Sequence, residues 1–440
     1  MNLTIHRGTH EIGGSCVELE SNGSRIVIDI GIPLVNKDGT RFNINDYNDI
    51  PDQELLINEV LPKINGIYKW DKESTPLDGL IISHPHADHY GLYRYLSNEL
   101  PVYLGKATGE LIRITSIFGK QHAHTKILIG NPNYFLKNKS FTCGNFKITP
   151  FIMDHSAFDS YAFLIEADGK KMIYSGDFRH HGRKKYALPQ FVKNVGKGAD
   201  TMLLEGTMMG RESGKVLTEE DIEDKGIELS KNTQGMVFLY FSPQNIDRLV
   251  GFYKAASSTK RLFVIDVYTA YILLKLSKFA KIPYPSKSFR NIRIFFVGNY
   301  LDRLPVDEKE EFIKAMACYK ISSEEIMSMP GKIMMTIRGS MINSLKKMNC
   351  LNGALFIYSM WEGYLKDKSM EKMMEFLNNN EIQRYILHTS GHASIDTLKH
   401  VVEAIKPKSL IPIHTFRPDQ YNILGHHNII RLKDGESYII

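Results

Sequence analysis

The stretch His84-Pro85-His86-Ala87-Asp88-His89 carries three imidazoles and one carboxylate within six positions. It directly follows the run 79–82, Gly-Leu-Ile-Ile, which is typical of a short buried strand. Neutral imidazole nitrogens and carboxylate oxygens suit Zn2+, which can keep a coordination position open for water. A solvated His-rich loop is the alternative, but the position after an apolar strand favours a metal site. A metal-dependent hydrolase is therefore the first function that the sequence indicates.

Single metal-binding side chains recur farther along the chain, each directly after an apolar run of strand length. Because strand ends can meet at one edge of a sheet, we expect these side chains to lie beside the 84–89 stretch and to complete a second metal site. They are His155, Asp177 and His414, which follow residues 148–153, 171–176 and 410–413.

Asp29 interrupts the apolar run 26–31, Ile-Val-Ile-Asp-Ile-Gly, and is predicted to lie in the middle of a strand. An unpaired carboxylate is costly to bury there, so Asp29 needs a cationic or N–H partner. One interpretation is that Asp29 orients the metal-binding loop. The other is a structural hydrogen bond to nearby backbone, and the two interpretations are compatible.

These motifs, in this order, resemble the metallo-β-lactamase superfamily, and the resemblance covers most of the chain. It implies an α/β fold, the αβ/βα metallo-β-lactamase sandwich, with two zinc ions at the sheet edge. Paired zinc ions lower the pKa of bound water to about 7 and so generate hydroxide near neutral pH. The resemblance implies that one zinc is bound by His84, His86 and His155 and the other by Asp88, His89 and His414, with Asp177 as the bridge between them. Asp88 and Asp29 are also expected to take part in catalysis.

The chain between Asp177 and His414 is unusually long, and strand-like runs alternate in it with helix-like patterns. Such alternation predicts a parallel sheet of its own, in a second domain inserted into the first. The predicted division is 1–207 and 385–440 for the sandwich domain and 208–384 for the inserted domain. The strand-like runs are 237–241, 262–266, 292–296, 333–337 and 354–358, and the helix-like ones are 246–255, 270–280, 308–318, 341–347 and 370–377.

The insertion and three short motifs resemble the β-CASP branch of this superfamily, the nucleic-acid-processing arm that includes ribonuclease J and the pre-mRNA cleavage factor nucleases. The branch implies that His392 faces the scissile phosphate and protonates the leaving oxygen, while Glu205 holds its other ring nitrogen. Taken alone, Glu205 reads as a helix cap and His392 as a solvent-exposed loop residue. The motifs are Leu-Leu-Glu-Gly-Thr at 203–207, His-Thr-Ser-Gly-His-Ala at 388–393 and Ile-Pro-Ile-His at 411–414.

The loop 388–392 precedes a helical pattern at 394–405, whose first backbone N–H groups are expected to point at an anion. In ribonuclease J-like enzymes a comparable loop holds the 5′-terminal monophosphate, so the resemblance also implies 5′-to-3′ trimming. The predicted phosphate contacts are His388, Ser390 and Gly391, with Arg338 and Ser340 after another strand as a second set, for which an ordinary polar loop is the alternative.

The formal net charge of +6 is compatible with a polyanionic substrate, although many proteins without a nucleic-acid partner have similar charges. The basic run 179–185, directly after Asp177, either borders a substrate groove or is a solvated loop. Four aromatic residues are candidates for stacking on RNA bases, with core packing favoured for most of them. They are Tyr240, Tyr268, Trp361 and Tyr364.

The composition suits two globular domains, with 440 residues of which 43% are hydrophobic. The four cysteines lack zinc-knuckle spacing and are few for a disulfide scaffold, so thiols in a reducing compartment are expected. Neither a signal peptide nor a transmembrane run is indicated, which predicts a cytoplasmic protein with no membrane partner.

Two departures from the ribonuclease J pattern concern substrate handling. Thr415-Phe416 stands where ribonuclease J typically has Gly-Glu, and the long C-terminal domain of that family is not expected in the residues after His414. The segment 33–78, with a predicted helix near 54–64, is an insertion before the metal loop that we expect to shape substrate access.

The sequence therefore predicts a zinc-dependent ribonuclease acting on single-stranded RNA, as an endonuclease, a 5′-to-3′ exonuclease or both. The alternative enzyme is a small-molecule ester, thioester or lactam hydrolase, against which the inserted domain argues because it makes a cleft suited to an extended strand. A nucleic-acid-binding scaffold without catalysis would lack ligands, and none is lacking. RNA is preferred over DNA by resemblance alone, and the oligomeric state is open, a homodimer included.

Overall fold

The computed structural model describes residues 1–36, 39–71, 75, 77–119, 128–211, 214, 216–297 and 300–440. Strands form where apolar residues alternate or run together, and short turns connect many of them. The strands are β1 (Asn2–Arg7), β2 (Cys16–Ser21), β3 (Ser24–Ile28), β4 (Gly79–Ile81), β5 (Val102–Gly105), β6 (Asn133–Phe135), β7 (Phe141–Cys143), β8 (Phe146–Met153), β9 (Ser160–Ala167), β10 (Lys170–Tyr174), β11 (Thr201–Glu205), β12 (Val237–Tyr240), β13 (Leu262–Asp266), β14 (Ile292–Phe295), β15 (Lys320–Ile321), β16 (Ile333–Thr336), β17 (Leu355–Tyr358), β18 (Gln383–Ile386), β19 (Ser409–Ile413) and β20 (Ser437–Ile439).

Some of the helices begin where a side chain accepts a hydrogen bond from the first free N–H groups. Thr218 and Asp221 form a reciprocal capping box, and Ser394 accepts from the backbone N–H of Thr397. The α-helices are α1 (Glu54–Ile57), α2 (Ala87–Tyr90), α3 (Lys106–Phe118), α4 (Ala187–Val195), α5 (Glu219–Lys231), α6 (Ile246–Ser258), α7 (Val267–Leu276), α8 (Val306–Met316), α9 (Ser323–Ser328), α10 (Ile342–Leu345), α11 (Lys368–Asn379) and α12 (Ile395–Ile405).

Two sheets face each other. One has the strand order β20–β1–β2–β3–β4–β5–β6, and the other has the order β19–β11–β10–β9–β8–β7. Leu19 and Ile26 of the first sheet and Phe163 and Ile165 of the second belong to one buried core between them. The outer faces are covered as well, because α3 joins a core on the outside of the first sheet and α4 and α12 join one on the outside of the second. This layering is the αβ/βα sandwich that the resemblance implies.

A third sheet lies between β11 and β19 in the chain, with the order β15–β14–β13–β16–β12–β17–β18. Its neighbouring strands all pair in parallel. Every residue of β16 and β17 is buried, because separate apolar cores cover the two faces of this sheet. The division into domains stays a prediction, and β18 extends past the predicted boundary at residue 384.

The chain leaves the sandwich after β11 and returns to it at β19, and these two strands are parallel neighbours in one sheet. Glu205 pairs with Ile413 in this register, so the residue that ends β11 lies beside the residue before His414. Helix α3 of the sandwich packs against the core that surrounds α7 of the third sheet. The inserted unit is therefore anchored next to the edge where the predicted ligands occur.

The segment before β4 differs from its prediction. Helix α1 ends at Ile57 rather than near residue 64, because Glu59 has a positive φ of 56° and Pro62 disfavours helix at the residue before it. No helix in the described part of the chain is long and apolar enough to cross a membrane.

Candidate metal centre

The parallel arrangement of β10, β11 and β19 brings their carboxyl ends to one edge of the second sheet. Asp177 follows β10, Glu205 ends β11, and His414 follows β19. The 84–89 stretch follows β4 of the facing sheet, and α2 begins inside it at Ala87. The helical turn makes Asp88 and His89 project from successive positions of α2. All four segments meet at this edge.

Two groups of side chains there have the composition of metal sites, and within each group the ligand atoms lie within 4.8 Å of one another. Asp177 belongs to the second group and reaches both. Its Oδ2 lies 3.2 Å from His89 Nε2 and 3.6 Å from His414 Nε2, and also 3.8 Å from His84 Nε2. The first group is His84, His86 and His155, and the second is Asp88, His89, Asp177 and His414.

Asp29 stands behind the ligands and is fully buried. Its position corrects the prediction, because β3 ends at Ile28 and Asp29 adopts a left-handed conformation with a φ of 60°. The carboxylate accepts from the backbone N–H and the hydroxyl of Ser83, from Tyr174, and from His89 Nδ1 at 2.8 Å. These hydrogen bonds hold the ring so that His89 Nε2 faces Asp177.

Two other ligand candidates are oriented in the same way. His155 Nδ1 donates to the backbone oxygen of Gly391 at 2.6 Å, which turns Nε2 to within 3.2 Å of His86 Nδ1. Ser15 Oγ lies 2.9 Å from His414 Nδ1. In each imidazole one nitrogen is held by the protein and the other faces the centre of the group. Ser15, Ser83 and Tyr174 were not predicted, and an isolated Ser or Tyr carries no motif that would have pointed to this role.

The donor set fits divalent metal. His84 Nε2 and His414 Nε2 are buried and have no hydrogen-bond partner among the described residues. Burial lowers the pKa of His84 well below its usual range, and the imidazoles of His89 and His86 act in the same direction. Burial raises the pKa of Asp177, but the imidazoles of His414 and His89 outweigh it and lower the pKa well below the usual range. Imidazole nitrogens together with a carboxylate form a donor set that suits Zn2+.

His392 lies beside these groups, with Nδ1 at 3.8 Å from Asp177 Oδ2 and 3.6 Å from Glu205 Oε1. This nitrogen is also buried without a hydrogen-bond partner in the described residues. Glu205 is itself held in place, because its two oxygens accept from the backbone N–H groups of Ala393 and Thr207. The structure thus brings the predicted catalytic pair together at the edge of the metal groups.

The predicted phosphate contacts are already engaged within the protein. The Gly391 carbonyl holds His155, and Ser390 Oγ accepts from the backbone N–H of His392. The amides of His392 and Ala393 therefore do not point freely at an anion. His388 Nδ1 lies 3.5 Å from a guanidinium nitrogen of Arg248, and burial lowers the pKa of His388 to about 3.

The second predicted set is engaged as well. The guanidinium of Arg338 forms an ion pair with Asp266 and donates to Thr269 Oγ1 at 3.2 Å. Ser340 Oγ lies 3.0 Å from the hydroxyl of Tyr300. Both residues follow β16 on the inserted sheet, and no contact with the metal groups is present among the described residues.

Arg179 corrects the interpretation of the basic run 179–185 as a groove edge or a solvated loop. Its side chain is fully buried and pairs with Asp154 at 3.2 Å, Glu219 at 2.9 Å and Asp247 at 2.8 Å. Its Nη1 also donates to the backbone oxygen of Ser390. His181 Nε2 donates to the same oxygen at 2.8 Å. The run therefore joins the sandwich to the inserted unit.

Arg248 of α6 completes this arrangement from the inserted unit. It is fully buried and contacts both oxygens of Glu219, at 2.9 and 3.0 Å. It also donates to the backbone oxygens of Ser359 and Thr389. The arginines thus hold the carbonyls of Thr389 and Ser390, in the loop that carries His392. We name this set the interdomain network; it comprises Asp154, Arg179, Glu219, Asp247 and Arg248.

Comparison with known proteins finds similar chains and one family model. Residues 65–223 match the family of beta-lactamase superfamily domains. Ribonuclease J of Helicobacter pylori is 24% identical over 99% of this chain, and ribonuclease J of Mycoplasma genitalium is 22% identical over 92% of it. Ribonuclease J2 of Bacillus subtilis is 22% identical over 97% of the chain and 71% of its own length. Residues 65–223 are thus a metallo-β-lactamase superfamily domain. The domain and the similarity over nearly the full chain support a ribonuclease J-like protein of the β-CASP branch.

The chain spans 60% of the length of the Helicobacter pylori ribonuclease J and 66% of the Mycoplasma genitalium protein. A solved protein of unknown function from Enterococcus faecalis V583 has the same fold, with a TM-score of 0.81 and 20% sequence identity. The match covers 100% of this chain and 99% of that one. At this identity the likeness shows the fold of the chain alone.

Proposed function

We propose that the chain is a zinc-dependent ribonuclease that hydrolyses phosphodiesters of single-stranded RNA, as an endonuclease, a 5′-to-3′ exonuclease or both. One observation carries the proposal: two groups of candidate metal ligands, both within reach of Asp177, lie beside the pair of His392 and Glu205. The similarity to ribonucleases J over nearly the whole chain supports RNA as the substrate.

His84, His86 and His155 would hold one zinc ion, and Asp88, His89 and His414 would hold the other. Asp177 would bridge them, since its Oδ2 lies within 4.0 Å of ligand nitrogens from both groups. Zinc bound in this way supplies a water nucleophile with a lowered pKa and neutralises charge that develops on the phosphate.

Proton transfer and the orientation of the reacting groups are carried out by the protein's own residues. His392 donates a proton to the leaving oxygen, and Glu205 orients the ring from behind through Nδ1. Asp29 keeps His89 in its ligand orientation, and the carbonyl of Gly391 does the same for His155. The 388–392 loop thus serves the reaction by orientation. The proposed contact of His388 and Ser390 with a terminal phosphate would replace contacts that both side chains make within the protein.

A reducing, cytoplasmic location belongs to the same proposal. Cys16, Cys143, Cys318 and Cys350 are all free thiols, which supports a compartment where disulfides do not form. The homodimer stays a prediction.

The test is digestion of 3′-labelled single-stranded RNA, with either a 5′-monophosphate or a 5′-triphosphate, by the zinc-loaded protein. His392→Ala should abolish cleavage by removing the proton donor. His400→Ala should leave cleavage unchanged, because His400 is exposed on α12. Faster loss of the monophosphate substrate would indicate the 5′-to-3′ mode. A folded, zinc-loaded wild type that cuts neither RNA but hydrolyses small esters would overturn the ribonuclease and favour the small-molecule hydrolase.

A further inference from the structure

Trp361 follows β17 and keeps a half-exposed ring at the surface, with 52% of its area accessible. The ring packs edge-on against Tyr364, with 5.2 Å between ring centroids and an interplanar angle of 89°. The guanidinium of Arg211 lies 6.0 Å from the centre of the Trp361 ring. That of Arg41, in the segment before the metal loop, lies 5.6 Å from the centre of the Tyr364 ring. We name these four residues the aromatic mouth.

The aromatic mouth adjoins the metal centre. Arg211 Nη1 contacts Met208 Sδ at 3.9 Å, and Ser390 Oγ contacts the same sulfur at 3.4 Å, so a chain of contacts leads from Trp361 to the loop that carries His392. The mouth is thus connected to the loop of the predicted proton donor.

The Trp361 ring is held in place although it is exposed. It lies over Gly363, where any added Cβ would overlap the ring. The backbone oxygen of Trp361 accepts from the hydroxyl of Tyr358 at 3.2 Å. The other aromatic candidates differ, because Tyr240 stacks on Tyr358 and Tyr268 packs against Phe118. Tyr240 and Tyr268 thus pack within the protein, which is the role that the sequence analysis favoured for most of the four aromatic candidates.

We propose that Trp361, with Arg211 beside it, is a stacking site for a nucleobase of single-stranded nucleic acid next to the reacting phosphate. The proposal rests on the proposed ribonuclease function. Every base has a π face, so an exposed, fixed indole binds bases with little sequence preference, and a neighbouring guanidinium adds a cation for the backbone. Arg41 and Tyr364 support the indole from the other side, and they give the segment before the metal loop a part in substrate binding.

The intrinsic fluorescence of the chain tests this directly, because it contains two tryptophans. Trp70 stacks on Tyr68 at 4.8 Å and is partly buried in a different core. The Trp70→Phe protein therefore reports on Trp361, and the Trp361→Phe protein reports on Trp70. Each is titrated, with zinc present, with a phosphorothioate oligoriboadenylate that resists cleavage and with an abasic oligomer of the same length and charge.

We expect the oligoriboadenylate to quench the tryptophan fluorescence of the Trp70→Phe protein. The abasic oligomer should bind without quenching this fluorescence. The Trp361→Phe protein should show no quenching with either. Trp361→Ala should weaken oligoriboadenylate binding by about tenfold, as expected for the loss of one stacked base, while Trp361→Phe should restore most of the affinity. Gly363→Ala, which displaces the ring, should behave like Trp361→Ala. Equal quenching by both oligomers, or no quenching by the oligoriboadenylate, would overturn the stacking site.

The outcome separates this site from the ribonuclease activity. Quenching without cleavage of an unmodified RNA would keep the stacking site and reject the ribonuclease. If Trp361→Ala cleaves RNA with the KM of the wild type, and the fluorescence of the Trp70→Phe protein is not quenched, the ribonuclease is kept and the stacking site is rejected. An unchanged melting temperature of Trp361→Ala is the control for folding.

Discussion

Two buried polar clusters of this protein adjoin the same loop, and they treat their charges in opposite ways. In the metal centre, His84 Nε2 and His414 Nε2 find no hydrogen-bond partner among the described residues. In the interdomain network, Arg179 contacts three carboxylates and a backbone carbonyl. Unpaired buried polar atoms are costly and persist where function requires them. The metal centre, with its unpaired ring nitrogens, is thus arranged to bind a ligand. The interdomain network, whose charges pair within the protein, is a structural clamp between the two parts of the chain.

The largest effect should come from breaking the clamp. Glu219→Ala leaves two buried guanidiniums without their shared carboxylate, so we expect the free energy of unfolding to fall by about 3–5 kcal/mol. Urea denaturation measures it. The matched control is Glu220→Ala, which removes an exposed partner of Lys185 from the next position of α5 and should leave stability unchanged. Equal stability of the two variants would show that the network is not a clamp.

A smaller effect should follow from replacing a residue that orients a metal ligand without itself belonging to the two ligand groups. Asp29→Asn weakens the hydrogen bond that orients His89, and we expect zinc affinity to fall by about 10–100-fold. Competition with a chelator measures the affinity. Tyr174→Phe is the control, because it removes another hydrogen bond to Asp29 while the contact between Asp29 and His89 stays. A larger loss in Tyr174→Phe than in Asp29→Asn would contradict the orienting role.

The smallest effect concerns pH. Burial raises the pKa of Glu219, but the guanidiniums of Arg248 and Arg179 outweigh burial and lower the pKa from 4.5 to about 2. A lowered folded-state pKa gives stability that is present above the unfolded-state value and is lost as the pH falls through the folded one. The stability advantage of the wild type over Glu219→Gln should therefore narrow as the pH falls from 4.5 towards 2. A difference that stays constant or widens over this interval would contradict the assignment.

The metal centre was accessible to sequence reasoning for a physical reason. Parallel strands end at the same edge of a sheet, so a metal-binding residue after each strand predicts a meeting point, and Asp177 and His414 do meet there. The inserted parallel sheet was predicted from its alternating strand-like and helix-like patterns, and its strands lie near the predicted runs. Both predictions rest on patterns that are local in the sequence.

The clamp was not accessible in this way. A basic residue after a strand reads as an exposed charge, and Arg179 is buried because its carboxylate partners come from distant parts of the chain, Asp154 before it and Glu219 and Asp247 after it. Gly391 was missed in a similar way. It was predicted to face a phosphate, but its carbonyl faces inward and holds His155. Pairing that depends on tertiary contact leaves no mark in local sequence.

The most direct test of the central claim is the zinc content of the purified protein, measured by inductively coupled plasma mass spectrometry after removal of loosely bound metal. We predict two zinc ions per chain for the wild type, one for each group of ligand side chains, and a clear loss in Asp177→Ala, whose carboxylate reaches both groups. The interdomain variant Glu219→Gln should keep both ions. A folded wild type that retains no metal, or the same zinc content in Asp177→Ala as in the wild type, would contradict the account.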